Sequence, residues 1–245
     1  MVKYPRKEEW TMKKIALCLA LALLLCAILC ACSEPQEEAS SGGPESSAEE
    51  SGIDFSAEGN ETEMKQYETS NPVVAIKIKD YGVVVAELYP DIAPQTVYNF
   101  IYLIKNGFYD NNTIHRMLPG FMLQGGDPRG NGTGGPGYCI KGEFTANGFE
   151  NNLKHTPGVL SMARATPYDS AGSQFFIMLG NADWLDGSYA AFGKVIEGME
   201  VCREIEKIPY YNTKSGKLTE NLTIEKVVVD TKGVDYPEPE KLPEY

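Results

Sequence analysis

Arg116 opens the run RMLPGFMLQ, in which every residue up to Gln124 is apolar or uncharged. A guanidinium beside Phe121 and Met122, with a neutral amide at Gln124, is a set without acid, base or nucleophile. Later turns add Gln174, Phe176, Trp184, Leu185 and Tyr189, again large side chains with one amide. An apolar pocket with a few placed polar groups suits a ligand that is apolar but carries a polar backbone. In the competing reading the aromatics are ordinary core and Arg116 is a surface charge. Residue type alone leaves both open.

Other chemistries fail on context. Gly130-x-Gly132-x-x-Gly135 matches a dinucleotide template, but that template needs a strand before it and a helix after it. Pro136-Gly137 follows instead, and no G-K-[ST] run occurs. The two histidines, His115 and His155, stand in no H-E-x-x-H motif, and no cysteine pair has ligand spacing, so no metal is expected. Ser173 sits in AGSQFF and lacks the second glycine of a nucleophile elbow. A triad assembled in space stays open. No cofactor is expected.

The 245 residues carry a formal net charge of −12, which argues against nucleic-acid binding. Residues 15–29 hold no charge and follow Lys13-Lys14, the pattern of a secretory signal. The run is short for a bilayer crossing, which needs roughly 20 residues. Met12 is the better start, because Glu8 and Glu9 place acids where such signals avoid them. Leu29-Cys30-Ala31-Cys32-Ser33 resembles a bacterial lipobox, which implies a signal peptide over residues 1–31 and acylation of Cys32. Several acyl chains on one cysteine would anchor the protein stably to the extracytoplasmic face of the cell membrane. Residues 32–70, rich in Ser, Glu, Gly and Pro, are expected as a disordered tether. A folded domain is expected over residues 71–232 and a flexible tail over 233–245. Only Cys139 and Cys202 fall in the domain, which is no disulfide framework.

Those candidate residues need a scaffold, and periodicity suggests one. Residues 73–78 and 83–88 are β-branched runs around an Asp-Tyr-Gly turn, the pattern of a hairpin. Pro94 starts a helix with Val97, Phe100, Ile101 and Ile104 on one face, and Gly107 ends it. Short apolar runs then follow, punctuated by Gly, Pro, Asn and Asp. A second helix is expected over 198–208 and a last strand over 222–229. Short strands at close spacing with one early and one late helix predict a mainly β fold, a closed antiparallel barrel plugged by helices.

Residues 115–127 (HRMLPGFMLQGGD), 131–135 (NGTGG), 142–144 (GEF), 158–163 (GVLSMA), 172–177 (GSQFFI), 184–187 (WLDG) and 191–193 (AFG) together resemble the cyclophilin family of peptidyl-prolyl cis–trans isomerases. The resemblance runs in order from about Pro72 to Val229. It implies an eight-stranded antiparallel barrel capped by two helices, and a reaction needing no acid–base pair. Turning an X–Pro bond removes amide resonance against a barrier of roughly 18–20 kcal/mol and breaks no bond.

The family pattern, carried onto this sequence, makes Arg116 the catalytic donor to the proline nitrogen. Phe121, Met122, Phe176 and Leu185 would line the proline pocket, and Gln124 would hold a substrate carbonyl. Ala163 and Arg164 would offer backbone to an extended peptide, with Gln174 and Trp184 flanking the groove. Trp184 implies cyclosporin binding. Tyr189 replaces the histidine of many eukaryotic members, and Arg164 replaces a common asparagine; both departures implicate the selectivity beside the proline pocket. His115, shared with the family, is expected to be structural. The implied partners are proline-containing polypeptides, and a monomer is expected. Two other classes compete. A proline-peptide-binding chaperone would share the groove, whereas a solute-binding lipoprotein would show a two-lobed α/β pattern that is absent.

Overall fold

The structure is a computed structural model that describes residues 52–211 and 214–244. Residues 1–51, with the expected signal, Cys32 and the first half of the tether, lie outside the described residues. β1 (Val73–Ile78) and β2 (Gly82–Leu88) form the expected hairpin, its turn using positive φ at Asp80 (66°) and Gly82 (125°). α1 (Pro94–Lys105) follows, then β3 (Asn112–Leu118), β4 (Met122–Gly125), β5 (Val159–Met162) and β6 (Phe175–Met178). β7 (Ala191–Glu197), α2 (Met199–Ile205) and β8 (Lys217–Asp230) complete the order. Among the described residues these eight strands close an antiparallel barrel in the order β1-β2-β7-β5-β6-β4-β3-β8. The expected architecture is therefore observed.

α1 buries the face its periodicity predicts, including Val97, Phe100, Ile101 and Ile104. Phe100 packs on Tyr109, Phe175 and Phe192 at centroid distances of 5.0, 5.2 and 5.1 Å, tying the helix to the barrel interior. Its N-cap, Ala93, offers no side-chain bond. Glu143, from the distant GEF run, accepts bonds from the Gln95 N–H (2.9 Å), the Thr96 N–H (2.8 Å) and the Thr96 hydroxyl (2.7 Å) instead. A carboxylate there meets the positive end of the helix dipole. α2 buries Val201, Cys202 and Ile205.

Two expectations at the ends of the domain are corrected. Residues 52–70 are not a free tether. β1, β2 and β8 bury apolar residues on both faces, so Val73, Ala75, Val83, Val85 and Val228 need a cover outside the barrel. Ile53, Phe55, Met64 and Tyr67 supply it. Asp230 accepts the Met64 N–H (2.5 Å), and Lys232 Nζ donates to the Met64 carbonyl (3.0 Å). Burial would push the Asp230 carboxyl up, but these bonds and the Lys232 ammonium hold it below the usual range. Residues 234–244 are not frayed either. Leu242 and Cys139 exchange two backbone bonds (2.9 and 2.8 Å), and Tyr236 packs on Tyr98 at 5.8 Å. Enough apolar and aromatic side chains lie within these polar stretches to dock them. Cys139 and Cys202 are both buried and form no disulfide with each other.

Candidate active site

Strand register assembles the site. Lys217, Arg116, Gln124, Phe176 and Ser161 lie opposite one another in turn across β8, β3, β4, β6 and β5. Opposed residues in antiparallel strands share a face, so Arg116, Gln124 and Phe176 form one row. A cavity of about 240 Å³ opens over it, lined by Arg116, Phe121, Met122, Gln124, Ala163, Arg164, Phe176, Leu185 and Tyr189. Nine of the eleven site residues expected from the sequence thus meet in one cavity. Trp184 lies outside it, 70% exposed in the 3-10 turn Asp183–Leu185, its ring 5.8 Å from Phe121. Gln174 lines a neighbouring cavity instead.

Arg116 is held without being neutralised. Its Nε donates to the Ser215 carbonyl (3.1 Å) and its Nη1 to Gln124 Oε1 (3.1 Å). Among the described residues no carboxylate pairs with it. Burial lowers its pKa, yet a guanidinium stays charged in proteins. Gly216 (φ 61°) makes the Ser215 contact possible, since a Cβ there would fall 2.8 Å from the Met117 carbonyl oxygen. From Gln124 the chain continues: its Nε2 donates to Gln174 Oε1 (3.0 Å), and Gln174 Nε2 donates to the Gly134 carbonyl (2.9 Å). A relay of amides therefore joins Arg116 to the glycine run.

The glycine run has its own anion. The Asp127 carboxylate accepts the N–H groups of Arg129, Asn131 and Gly132 at 2.7, 3.0 and 2.5 Å. Burial would raise the Asp127 pKa, but these backbone donors hold it low. At Gly134 a Cβ would fall 2.0 Å from the same carboxylate. Amides already committed to an internal carboxylate have nothing left for a phosphate.

The floor and walls are positioned from behind. His155 stacks on Phe176 (6.1 Å, 23° between planes), with Nδ1 2.9 Å from Asp186 and Nε2 3.0 Å from Ser161 Oγ. This is a serine–histidine–aspartate constellation, the triad that sequence left open. Ser161 is fully buried, so no substrate reaches it, and the group serves to hold Phe176. Burial pushes the His155 pKa down despite the neighbouring carboxylate. His115 lines neither cavity and is likewise lowered by burial.

The Arg164 side chain is tied down at the cavity edge. Its guanidinium donates to the carbonyls of Ser188 (3.1 and 3.0 Å), Ala165 (2.9 Å) and Thr166 (3.2 Å). It also lies 4.7 Å from the Tyr189 ring centroid and 5.1 Å from Phe144. The Ala163 N–H is committed to the Gln174 carbonyl (2.9 Å). Sequence reasoning missed the Ser215, Ser188 and Gly134 carbonyls and the His155 group behind Phe176. A carbonyl carries no residue-type signal; only the short Ser161–His155 separation hinted at the last. Among the described residues no group of three or more His, Cys, Asp or Glu side chains is placed to hold a metal.

Comparison with known proteins fits this geometry. Residues 73–229 match the family model for cyclophilin type peptidyl-prolyl cis-trans isomerase/CLD. Peptidyl-prolyl cis-trans isomerase B of Bacillus subtilis is 47% identical over 128 residues, covering 52% of this chain and 86% of that protein. Peptidyl-prolyl cis-trans isomerase CYP71 of Arabidopsis thaliana is 42% identical over 154 residues, 60% of this chain but only 24% of that longer protein. A crystal structure of a cyclophilin type isomerase from Cryptosporidium parvum, determined in the presence of the dipeptide Ala-Pro, superposes with a TM-score of 0.58 at 35% identity. It covers 64% of this chain and 98% of that one. The chain belongs to the cyclophilin type peptidyl-prolyl cis–trans isomerase family, and by enzyme class it is an isomerase.

Proposed function

We propose that this chain turns X–Pro bonds of exported or surface polypeptides, with Arg116 as the catalytic residue. The observation that carries the reading is a guanidinium with no acid partner among the described residues, at the wall of a small cavity floored by Met122, Phe176 and Leu185. As the amide twists, the proline nitrogen leaves conjugation and regains a lone pair. A donor aimed there binds the twisted state more tightly than either planar one, which is what lowers the barrier. The prolyl ring would sit on Met122, Phe176 and Leu185 against Phe121. Gln124 would take a substrate carbonyl with its remaining N–H. The carbonyl of Ala163 and the backbone of Arg164 would meet the extended peptide, with Gln174 and Trp184 at its flanks. Trp184 and the same groove would admit cyclosporin. No cofactor enters the reaction.

NMR exchange between the cis and trans signals of an Ala-Pro peptide, with catalytic amounts of the full chain, tests the reading. Accelerated exchange is expected. Binding without exchange would favour a chaperone that only holds proline segments. The cellular part rests on Cys32 and the apolar run before it, which would tether a monomer to the outer face of the cell membrane. Mass spectrometry of the mature N-terminus tests this: a diacylated Cys32 is expected, and an intact leading segment would overturn it.

A further inference from the structure

A second cavity, of about 270 Å³, adjoins the first and shares Gln124, Ala163 and Arg164 with it. Its walls are glycine-run backbone and uncharged side chains, except at two places. One is Arg164, whose guanidinium is turned onto the Ser188, Ala165 and Thr166 carbonyls and the Tyr189 ring. The other is Glu244, brought from the far end of the chain. Three contacts carry the tail there. Leu242 exchanges its two backbone bonds with Cys139, the Glu240 N–H donates to Gln95 Oε1 (2.8 Å), and the Lys241 ammonium sits 4.1 Å from the Tyr102 centroid. Glu244 is exposed, and no hydrogen bond or ion pair engages its carboxylate among the described residues. Its Oε1 would lie 3.5 Å from a Cβ at Gly135, on the cavity rim.

Among the described residues Arg164 and Glu244 are the two charges lining this cavity; the Arg164 donors are turned onto carbonyls, so the side chain left to pair with a ligand is the Glu244 carboxylate. We propose that the C-terminal tail completes the second cavity and that Glu244 makes it a subsite for a basic side chain, Lys or Arg, near the substrate proline. The proposal rests on the isomerase reading for its role in turnover, but not for its binding chemistry. An extended peptide advances about 3.3–3.6 Å per residue, so a side chain within a few positions of the proline spans from one cavity to its neighbour.

Matched proline peptides carrying Lys, Ala or Glu at each of the three positions on either side of the proline test this with the full chain. Both Kd, by fluorescence anisotropy, and kcat/KM are read. At one position the Lys peptide should exceed the Glu peptide by about two- to fivefold, the range of an exposed ion pair. The ratio should shrink in high salt as screening shortens the reach of the charge. Glu244→Gln, and separately truncation after Glu238, should bring the ratio to about one, and Glu244→Lys should invert it. Equal treatment of Lys and Glu peptides by the wild type overturns the proposal, as does a preference that survives both Glu244→Gln and the truncation. If no peptide is turned over, the isomerase reading fails, and the Kd ratios still decide the subsite.

Discussion

The two adjoining cavities are built by different means. The first stands on a cross-strand row, Arg116–Gln124–Phe176, whose register is fixed by the barrel, and its floor residues Met122, Phe176 and Leu185 are buried. The second is walled by the glycine run, the loop after Ala163 and the end of the chain. Rigid register suits a donor that must meet a nitrogen at one stage of a rotation, because small misplacement of a catalytic group is costly. A loop-built cavity closed by a carboxylate on a tail suits choosing among sequences. Gln124 and Gln174 couple the two, since their amide relay ends on Gly134.

Breaking the floor of the first cavity is expected to have the largest effect. Phe176→Ala should cost about 3–5 kcal/mol of stability by chemical denaturation, as large-to-small changes at buried aromatics do. Turnover should fall with it, while the Lys-over-Glu binding preference at the second cavity persists in the folded fraction. Cutting the relay comes next. Gln174→Ala should lower kcat/KM about fivefold, the worth of one net hydrogen bond near 1 kcal/mol, measured on an Ala-Pro peptide.

A graded effect comes from pH. His155 is buried and His115 half-buried, and loss of solvent holds both folded pKa values below their ordinary 6.5. The unfolded chain takes up those protons first, so their contribution is complete above about pH 6.5 and is lost as pH falls towards the folded values. Thermal melts from pH 7.5 to pH 5 should show a falling Tm, and His155→Gln should flatten part of the slope. The smallest effect is expected at the tail: Lys241→Ala removes the cation 4.1 Å from the Tyr102 centroid and should lower Tm only slightly. It should also weaken the Lys-over-Glu preference without abolishing it.

Particular residues show what was legible in the sequence. The β1–β2 hairpin and the buried face of α1 followed from alternation at residues 73–88 and from the spacing of Val97, Phe100, Ile101 and Ile104. The closed barrel followed from pattern, and its strand number from motif resemblance. The same resemblance, carried position by position, picked out nine residues that the structure brings to one cavity. What stayed hidden was set by partners that carry no residue-type signal, such as the Ser215 carbonyl on Arg116 and the Ser188 carbonyl on Arg164. The ends misled for a related reason. Composition averages over a segment, whereas docking depends on a few side chains: Ile53, Met64 and Tyr67 at one end, Tyr236, Lys241 and Leu242 at the other. The glycine run misled in the opposite sense. Its spacing imitated a phosphate loop, but its amides close on Asp127.

The central claim is that Arg116 favours the twisted amide over both planar forms. It is tested most directly by measuring kcat/KM and peptide Kd together for the full chain and for Arg116→Ala and Arg116→Lys. Arg116→Ala should lower kcat/KM about 10²–10³-fold, the cost of removing one transition-state donor, with Kd changed only a few fold. Lys should restore little, because it lacks the planar fork that the Ser215 carbonyl and Gln124 hold in place. An Arg116→Ala variant that keeps wild-type kcat/KM, or loses it only in proportion to peptide affinity, would rule out that role for Arg116.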